Sequence, residues 1–419
     1  MTKTLNVWWA GEIVGALAID RYGEMGFAYA PEWLADAGKP ALSFSLPKRP
    51  EPFSRRECRP FFEGLLPEEG QRIAVAGALG LSQGNEFKLL TELGGEVAGA
   101  LTLWPEGETP PASTAFAYNE PLSETALVDL LDELPARPFL AGREGLRLSL
   151  AGAQSKIPVV LVKNEIALPA SGEATSHILK PPIGRFAGTT ENEAFAMRLA
   201  KNIGLTVADV EIRRAGSRSF LLVERYDRRR DASGLLHRLH QEDFCQALGF
   251  TSERKYAADG GPAFRDCFEL LRGAATRPAV EILKLFDAAI FNLIIGNADA
   301  HAKNYSLLHR ENGAVELAPL YDLLSTVYYP ELSPRLAMKI AKRHTLEELK
   351  PGDWEKFADE TGLATRFVRA RTNEVADAVS DSITRTEVEL MDEASDRKAV
   401  EEISNLIRAR AGALRQRVP

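Results

Sequence analysis

Cysteine is scarce in this chain of 419 residues, and its scarcity excludes two kinds of site. The three cysteines, Cys58, Cys245 and Cys267, stand far apart, and no two of them have the C-x-x-C spacing. A zinc site or a disulfide framework is therefore not expected. Unpaired cysteines are typical of a reducing compartment, so the sequence favours a cytoplasmic protein.

Long apolar runs and an excess of basic residues are also missing. No apolar stretch approaches the ~18 residues that a membrane-spanning helix needs. Glu12 and Asp20 interrupt the apolar N-terminus, which argues against a signal peptide. The 51 Lys and Arg residues stand against 59 Asp and Glu residues, and the net charge of -8 argues against a dedicated nucleic-acid binder. We therefore expect no membrane association and no direct role in binding DNA.

Composition and length indicate a soluble globular protein with more than one domain. The apolar fraction of 45% and the charged fraction of 26% are ordinary. A chain of this length corresponds to roughly two or three domains. Residues 105–120 contain three prolines and little periodicity, so we interpret them as a linker. We expect domains at residues 1–110, 111–238 and 239–419.

Periodicity changes along the chain from strand-like to helical. Alternation predicts a hairpin at residues 5–19, and residues 61–67 are typical of a short helix that a proline ends. A helix is predicted to open near Thr190 and to end at Gly204. Helical periodicity dominates after Asp227. Further strands are predicted at residues 146–150, 157–162, 176–180 and 220–224.

The most informative segment is a polar loop that follows the apolar helical run 286–295. It contains Asp299 and, five positions later, Asn304, and Asp322 follows in the sequence Leu-Tyr-Asp. Phosphoryl transfer uses such a set: one carboxylate orients the attacking hydroxyl, while an amide oxygen and a second carboxylate bind magnesium. Protein kinases space their catalytic Asp and metal-binding Asn by the same five residues. An Asp and an Asn in one loop are also common turn residues, so this motif alone does not decide.

A loop of small residues precedes these motifs and is predicted to bind phosphate. It has the sequence Ala151-Gly152-Ala153-Gln154-Ser155-Lys156 and joins two predicted strands. Small residues let backbone amides approach phosphate oxygens, and Lys156 adds a cation. We interpret Ala151, Gly152, Ala153, Gln154 and Lys156 as nucleotide-binding, although a plain hairpin turn would give the same pattern.

A lysine and a glutamate follow in the order that kinases use. Lys180 ends a predicted strand, where kinases place the lysine that pairs with nucleotide phosphates. A solvated lysine at a strand end is the alternative. Glu193 has two interpretations: it pairs with Lys180, or it forms a capping box with Thr190. The local pattern favours the capping box.

Two further sets complete the predicted site. The segment Glu224-Arg225-Tyr226-Asp227 follows an apolar strand and precedes the helical half, which is the position of the kinase hinge. A strand end with a salt-bridged turn is the alternative. Within the polar loop, His301 and Lys303 are predicted to face the transferring phosphate, although a lone histidine and lysine are more often structural or solvated. Each signal is weak alone, but unrelated features have no reason to fall in kinase order. The order predicts a phosphotransferase.

With these motifs the chain resembles the HipA family of bacterial serine/threonine kinases, the toxin half of a toxin–antitoxin pair. The resemblance covers nearly the whole chain. The departures are His240, where proline is expected, and Ser155, where an acidic residue is common; neither belongs to the catalytic set. The matching stretches are residues 61–67, 149–156, 177–181, 191–193, 223–228, 241–247, 296–305 and 320–322.

The resemblance implies a fold and roles for named residues. The fold is a two-lobed, protein-kinase-like α+β fold, with a strand-rich N-terminal lobe, an extra N-terminal subdomain and an all-helical C-terminal lobe. The implied roles are catalysis by Asp299, magnesium binding by Asn304 and Asp322, nucleotide binding by Lys180, backbone contacts to adenine from Glu224 and Tyr226, a ribose contact from Asp227, and autophosphorylation at Ser149.

The resemblance also implies substrates and partners. ATP with Mg²⁺ is the phosphate donor, and the protein substrate is an aminoacyl-tRNA synthetase whose phosphorylation arrests growth. Autophosphorylation inactivates the kinase. The partner is a HipB-like helix-turn-helix antitoxin, through which the chain reaches DNA only indirectly.

Two alternatives stay open. A degenerate kinase fold that serves as an antitoxin-bound co-repressor would keep the fold without the chemistry. A small-molecule kinase, such as an aminoglycoside phosphotransferase, shares the Asp-x4-Asn spacing but lacks support from the Ser149 loop and the N-terminal match. Magnesium-dependent ATP consumption separates the first alternative from an active kinase.

Overall fold

The structure, a computed structural model, describes residues 3–111 and 119–419. Part of the predicted linker at 105–120 therefore lies outside the described residues. Within these ranges the chain forms 12 α-helices, three antiparallel sheets of three to five strands and one two-stranded hairpin. None of the described helices combines the length and apolarity needed to cross a bilayer.

The N-terminal part is a four-stranded antiparallel sheet backed by short helices. Its strand order is β3-β2-β1-β4, and the predicted hairpin at residues 5–19 is confirmed as β1 and β2. Phe27 of the sheet packs against Phe62 in a core without solvent exposure. The short helix predicted at 61–67 begins and ends earlier, as α2. The elements are β1 Lys3–Trp9, β2 Glu12–Ile19, β3 Met25–Tyr29, α1 Pro31–Ala35, α2 Arg55–Glu63, α3 Glu69–Ala78, α4 Glu86–Leu93 and β4 Leu101–Pro105.

The middle part is a five-stranded antiparallel sheet with one long helix. Its order is β6-β5-β7-β9-β8, and α6 contacts β8 and β9. The strands predicted at 157–162, 176–180 and 220–224 are confirmed. The strand predicted at 146–150 is wrong, because only Leu148 forms a bridge, to Glu96. The elements are α5 Glu124–Glu133, β5 Ile157–Val162, β6 Glu165–Ala167, β7 His177–Lys180, α6 Thr189–Asn202, β8 Val210–Ala215 and β9 Arg218–Glu224.

The C-terminal part is mainly helical but contains five short strands, two of them paired in a hairpin. The all-helical lobe is therefore a wrong prediction: β12, β13 and β14 form a small sheet beside the polar loop. Its core is the buried helix α9, which contacts α8, α11 and α12. The elements are β10 Arg228–Arg230, β11 Leu236–Arg238, β12 His240–Asp243, α7 Phe244–Leu248, α8 Phe264–Ala274, α9 Pro278–Ile295, β13 Ser306–His309, β14 Val315–Leu317, α10 Asp353–Thr361, α11 Thr365–Met391 and α12 Arg397–Arg415.

A buried charge network joins the N-terminal part to the middle sheet. The Glu96 carboxylate is fully buried and accepts hydrogen bonds from Arg225 at 2.9 Å, Arg228 at 2.6 Å and Arg238 at 2.6 Å. Burial alone would raise the pKa of Glu96, but the three guanidinium groups outweigh it and hold the pKa well below its usual range. The charges are paired, so the junction tolerates their burial.

We expect Glu96→Gln to lower the free energy of unfolding by about 3–5 kcal/mol, because the change leaves buried cations without their shared anion. Chemical denaturation measures the difference. The matched control is Asp132→Asn, which removes a carboxylate from a half-exposed pair with Arg218 at 2.8 Å; little change is expected there. Equal effects of the two substitutions would show that the network contributes no more than a surface pair.

Candidate active site

The polar loop at the end of α9 is held in a fixed conformation. Gly296 ends the helix with φ of 72°, and a Cβ at this position would lie 2.3 Å from Val327 Cγ2, so only glycine fits. The amide of Ala298 then donates to Thr326 Oγ1 at 2.7 Å. The side-chain amide nitrogen of Asn304 donates to the Asp299 carbonyl at 3.2 Å, so the Oδ1 atom of the same amide does not take part in this bond. The predicted pair Asp299 and Asn304 is thus brought together.

Asp299 lies at an accessible but crowded position. The Tyr256 hydroxyl donates to its Oδ1 at 2.8 Å. Crowding by protein atoms raises the pKa of Asp299 to about 6, and the hydrogen bond from Tyr256 and the charge of Lys255 reduce the rise. A carboxylate with this pKa is ionised at neutral pH and is suited to accept a hydroxyl proton.

Lys180 connects the middle sheet to α6 and to Asp322. Its Nζ lies 2.6 Å from Glu193 Oε1 and 2.7 Å from Asp322 Oδ1. Burial would lower the pKa of Lys180, but the charges of Asp322 and Glu193 outweigh it and raise the pKa. The alternative of a solvated Lys180 is wrong. The capping box with Thr190 is also wrong: α6 begins at Thr189, after Gly188, and the Glu193 side chain points to the lysine.

Asp322 adopts a backbone conformation that non-glycine residues rarely use. Its φ is 59°, in the left-handed region, and such strain is concentrated at functional sites. Burial would raise the pKa of Asp322, but Lys180 and Lys156 outweigh it and hold the pKa well below its usual range. The side chain is therefore an anion between two cations.

The small-residue loop is folded inward and tied to the N-terminal part. Ser149 is fully buried, and its hydroxyl donates to the Leu65 carbonyl at 2.7 Å. Gly152 has φ of 112°, and a Cβ there would lie 2.5 Å from Lys156 Nζ. The same Nζ donates to the Ala151 carbonyl at 2.8 Å. This geometry requires glycine at position 152 and holds Lys156 close to Asp322 and Lys180.

Gln154 contacts the segment that follows β7. Its Nε2 donates to the Pro181 carbonyl at 3.4 Å, next to Lys180. The loop and the end of β7 therefore face each other, with Ala153 between Gly152 and Gln154. The predicted nucleotide-binding residues Ala151 to Lys156 thus border the ion pair of Lys180.

The predicted hinge is only partly brought to the cleft. Tyr226 stacks on Tyr321 with ring centroids 5.7 Å apart, next to Asp322 in sequence. The Glu224 amide donates to the Asp209 carbonyl at 2.8 Å. Asp227, by contrast, is 2% exposed, and its carboxylate accepts from Arg225 at 2.8 Å and from the Gly99 amide at 2.7 Å. The predicted contact of Asp227 with ribose is therefore wrong, because the carboxylate oxygens already accept hydrogen bonds from protein donors.

His301 and Lys303 are both buried, in different environments. Lys303 lies 2.6 Å from Asp243 Oδ2 and 3.7 Å from Glu68 Oε1. Its ammonium is thus committed to a buried ion pair, which contradicts the prediction that Lys303 faces the phosphate. Burial lowers the pKa of His301 to about 3, so its imidazole is neutral. Its Nδ1 is buried and has no hydrogen-bond partner among the described residues.

Three residues of the site were missed by the sequence analysis: Glu68, Lys255 and Tyr256. Lys255 Nζ lies 2.9 Å from Glu68 Oε2, and the next residue, Tyr256, contacts Asp299. No periodicity or motif marks them. Asp243 was identifiable, because Asp243 and Gln246 have capping-box spacing, and the structure contains that box at the start of α7.

The oxygen donors fit a magnesium ion that arrives with a nucleotide. Among the described residues, no group of three His, Cys, Asp or Glu side chains could hold a metal by itself. Asn304 and Asp322 would supply one amide oxygen and one carboxylate. Mg²⁺ usually takes one or two carboxylates and completes its shell with phosphate oxygens and water, so this small set is sufficient.

Comparison with known proteins agrees with the geometry. The HipA N-terminal domain family matches residues 5–104, and the HipA-like C-terminal domain family matches residues 148–383. The protein Y4mE of Sinorhizobium fredii is 57% identical over 99% of both chains. The serine/threonine-protein kinase toxin HipA of Shewanella oneidensis is 30% identical over 91% of this chain and 89% of its own.

A solved structure extends the similarity to the whole fold. HipA of Shewanella oneidensis MR-1, determined with HipB and operator DNA, superimposes with a TM-score of 0.85 at 27% identity, over 99% of each chain. The similarity includes the N-terminal part as well as the kinase-like lobes. On the family matches, the relatives and this fold, the chain belongs to the HipA family of kinase toxins.

Proposed function

We propose that the chain is a Mg²⁺- and ATP-dependent serine/threonine protein kinase that acts as a toxin. The observation that carries the proposal is the contact of Lys180 with both Glu193 and Asp322, at 2.6 and 2.7 Å. Active protein kinases use a lysine–glutamate ion pair and a metal-binding aspartate in this arrangement. A co-repressor without catalysis does not require the buried pair of Lys180 and Glu193.

The residues divide into groups that bind, orient and transfer. Lys156, Lys180 and the amides of the small-residue loop would bind the phosphates. Backbone groups of Glu224 and Tyr226 would bind adenine. Asp299 would orient the acceptor hydroxyl and accept its proton. Mg²⁺, when bound by Asn304 and Asp322, supplies positive charge against the phosphate oxygens.

The proposed partners follow from the family. The solved relative is a HipA bound to HipB and operator DNA. We infer that this chain binds a HipB-like helix-turn-helix antitoxin and reaches DNA through it, which suits a net charge of -8. The proposed protein substrate is an aminoacyl-tRNA synthetase. The three free, buried cysteines suit a reducing cytoplasm.

The test of the proposed function combines labelling with growth. The purified chain, with radiolabelled ATP and Mg²⁺, should label one main protein in a bacterial lysate, and mass spectrometry would identify it. Expression without an antitoxin should arrest growth, because loss of charged tRNA stops translation. The Asp299→Asn protein, expressed to the same level, should neither label a protein nor arrest growth. Equal harmlessness of both forms and an absence of labelling would favour the co-repressor.

Phosphorylation of Ser149 is expected to switch the kinase off. The serine is fully buried, and its hydroxyl is bonded to Leu65. A phosphate adds roughly -1.5 to -2 charges and three acceptor oxygens, which this buried position cannot hold. The segment from Ser149 to Lys156 should leave its inward position and lose its contacts to ATP.

The measurement is ATP affinity of the phosphorylated chain against the same preparation after phosphatase treatment, with the modification confirmed by intact mass. We expect markedly weaker binding before phosphatase treatment. Ser149→Ala treated in the same way is the control, since it cannot be modified at this position. Equal affinities of the two wild-type forms would rule the switch out.

A further inference from the structure

The carboxylate proposed as the catalytic base already has a hydroxyl partner. Tyr256 donates its phenolic hydroxyl to Asp299 Oδ1 at 2.8 Å. A serine or threonine acceptor must donate its own hydroxyl to this carboxylate before transfer. Tyr256 therefore makes the hydrogen bond that the proposed mechanism assigns to the substrate.

Tyr256 is presented by a rigid turn between α7 and α8. Its carbonyl accepts from the amides of Asp259 and Gly261, both at 3.0 Å. A Cβ at Gly261 would lie 2.0 Å from the Arg254 carbonyl, so the turn closes only with glycine there. Arg254 also donates to the Gly260 carbonyl at 2.7 Å. The position of the tyrosine is thus determined by local backbone structure.

The N-terminal part anchors the same turn. Lys255 Nζ lies 2.9 Å from Glu68 Oε2 and 3.0 Å from Glu69 Oε1. The amide of Ser252 donates to Glu63 Oε2 at 3.1 Å. These contacts fix the residues on the N-terminal side of Tyr256, so the tyrosine side chain, rather than the turn, is the element that can move.

The Tyr256 side chain is only partly buried. Its ring meets His301 edge-on, with centroids 5.2 Å apart, and the Lys255 ammonium lies 5.2 Å from the ring centre. A rotation of the side chain would free Asp299 without disturbing the apolar core. We propose that Tyr256 is a specificity gate, whose hydroxyl occupies the acceptor position on Asp299 until a protein substrate displaces it. This inference rests on the proposed kinase function.

The gate would make acceptor choice depend on contacts away from the reacting hydroxyl. A net hydrogen bond to a charged group corresponds to about ten-fold or more in an equilibrium constant. Water and short peptides have little additional binding energy with which to break the Tyr256 bond. A protein substrate gains binding energy from its extended interface with the kinase, and this energy can displace the Tyr256 hydroxyl. The kinase would therefore hydrolyse little ATP in the absence of a protein substrate.

The test compares wild type, Tyr256→Phe and Tyr328→Phe. The first substitution removes only the hydroxyl on Asp299. The second is the matched control, since Tyr328 donates an equivalent bond to Glu402 at 2.8 Å, an exposed contact away from Asp299. The acceptor probe is a synthetic peptide of residues 143–157, which contains Ser149. Initial rates are measured against peptide concentration, with ADP release in the absence of peptide recorded in parallel.

We expect Tyr256→Phe to lower KM for the peptide about ten-fold, to leave kcat unchanged and to raise ADP release without peptide. Tyr328→Phe should match wild type in all three. If kcat falls at constant KM, or if phosphate is found on Tyr256 itself, the gate is overturned while the kinase stands. The same holds if the kinetics of Tyr256→Phe and wild type coincide. If wild type transfers no phosphate to peptide, to Ser149 or to water, the proposed function fails and the gate with it.

Discussion

Replacing Asp299 by asparagine is expected to abolish phosphoryl transfer and to preserve nucleotide binding. The Asp299 carboxylate accepts a hydrogen bond from the Tyr256 hydroxyl. Its pKa, raised to about 6, suits a group that accepts a proton. Asparagine keeps the shape but cannot take a proton, and loss of a positioned general base typically costs about 10²–10⁴-fold in rate. Lys156, Lys180 and the small-residue loop are untouched, so ATP affinity should not change.

Two measurements are needed on the same preparations. Transfer from radiolabelled ATP to Ser149 and to a protein substrate gives the rate, and calorimetric titration with ATP and Mg²⁺ gives the affinity. The matched control is Asp259→Asn, the same chemical change at an exposed acid of the turn that presents Tyr256. Near-normal transfer by Asp299→Asn would contradict the assignment. Loss of both transfer and ATP binding would indicate a nucleotide-binding role instead.

Local signals in the sequence predicted the elements that position the site. An apolar run followed by glycine located the end of α9, because Gly296 is required there by its left-handed φ and by Val327. Strands β5 and β9 were found because each contains a continuous apolar run. The spacing from Asp299 to Asn304 placed both in one loop, and the structure bonds them. These features depend on residues close together in sequence.

Long-range partners were the part that the sequence did not predict. Glu193 has capping-box spacing from Thr190, yet its carboxylate pairs with Lys180 on a strand. Asp227 has the position of a hinge residue, but its side chain turns to Arg225 and Gly99. Motif order places a residue along the chain and leaves the direction of its side chain open. That direction depends on ion pairs and hydrogen bonds with residues that are distant in the sequence.

The short sheet of the C-terminal part was missed for a related reason. Strand β12 has four residues and pairs with β13, whose sequence lies more than 60 positions later. Strands this short carry almost no periodic signal. Asp243, the last residue of β12, forms the ion pair with Lys303 at 2.6 Å. Because this sheet was not predicted, the ion pair of Lys303 with Asp243 was not predicted either, and Lys303 was wrongly assigned to the phosphate.

Substitution of Asp322 is expected to remove the magnesium dependence of nucleotide binding. Asp322 is the proposed carboxylate ligand, and without it only the amide oxygen of Asn304 remains on the protein side. Mg²⁺ binds carboxylate oxygens strongly and amide oxygens less so. The affinity for ATP at saturating Mg²⁺ should fall to its value without the metal. Lys180 keeps its contact with Glu193 at 2.6 Å, so its charge stays paired and the fold should persist.

The backbone at this position calls for two variants rather than one. Asp322 has φ of 59°, and alanine is strained there by roughly 1–2 kcal/mol, whereas glycine is not. Asp322→Ala removes the proposed ligand and keeps a Cβ at the left-handed position, whereas Asp322→Gly removes the proposed ligand and relieves the strain. ATP affinity is titrated against Mg²⁺ for both, with Asp209→Ala, an exposed acid paired with Lys201, as the control.

If the glycine variant keeps the magnesium response while the alanine variant loses it, the effect is one of backbone strain. If both keep it, Asp322 is a turn residue and not a ligand. Loss in both, with melting temperatures near that of wild type, would establish the carboxylate as the metal ligand.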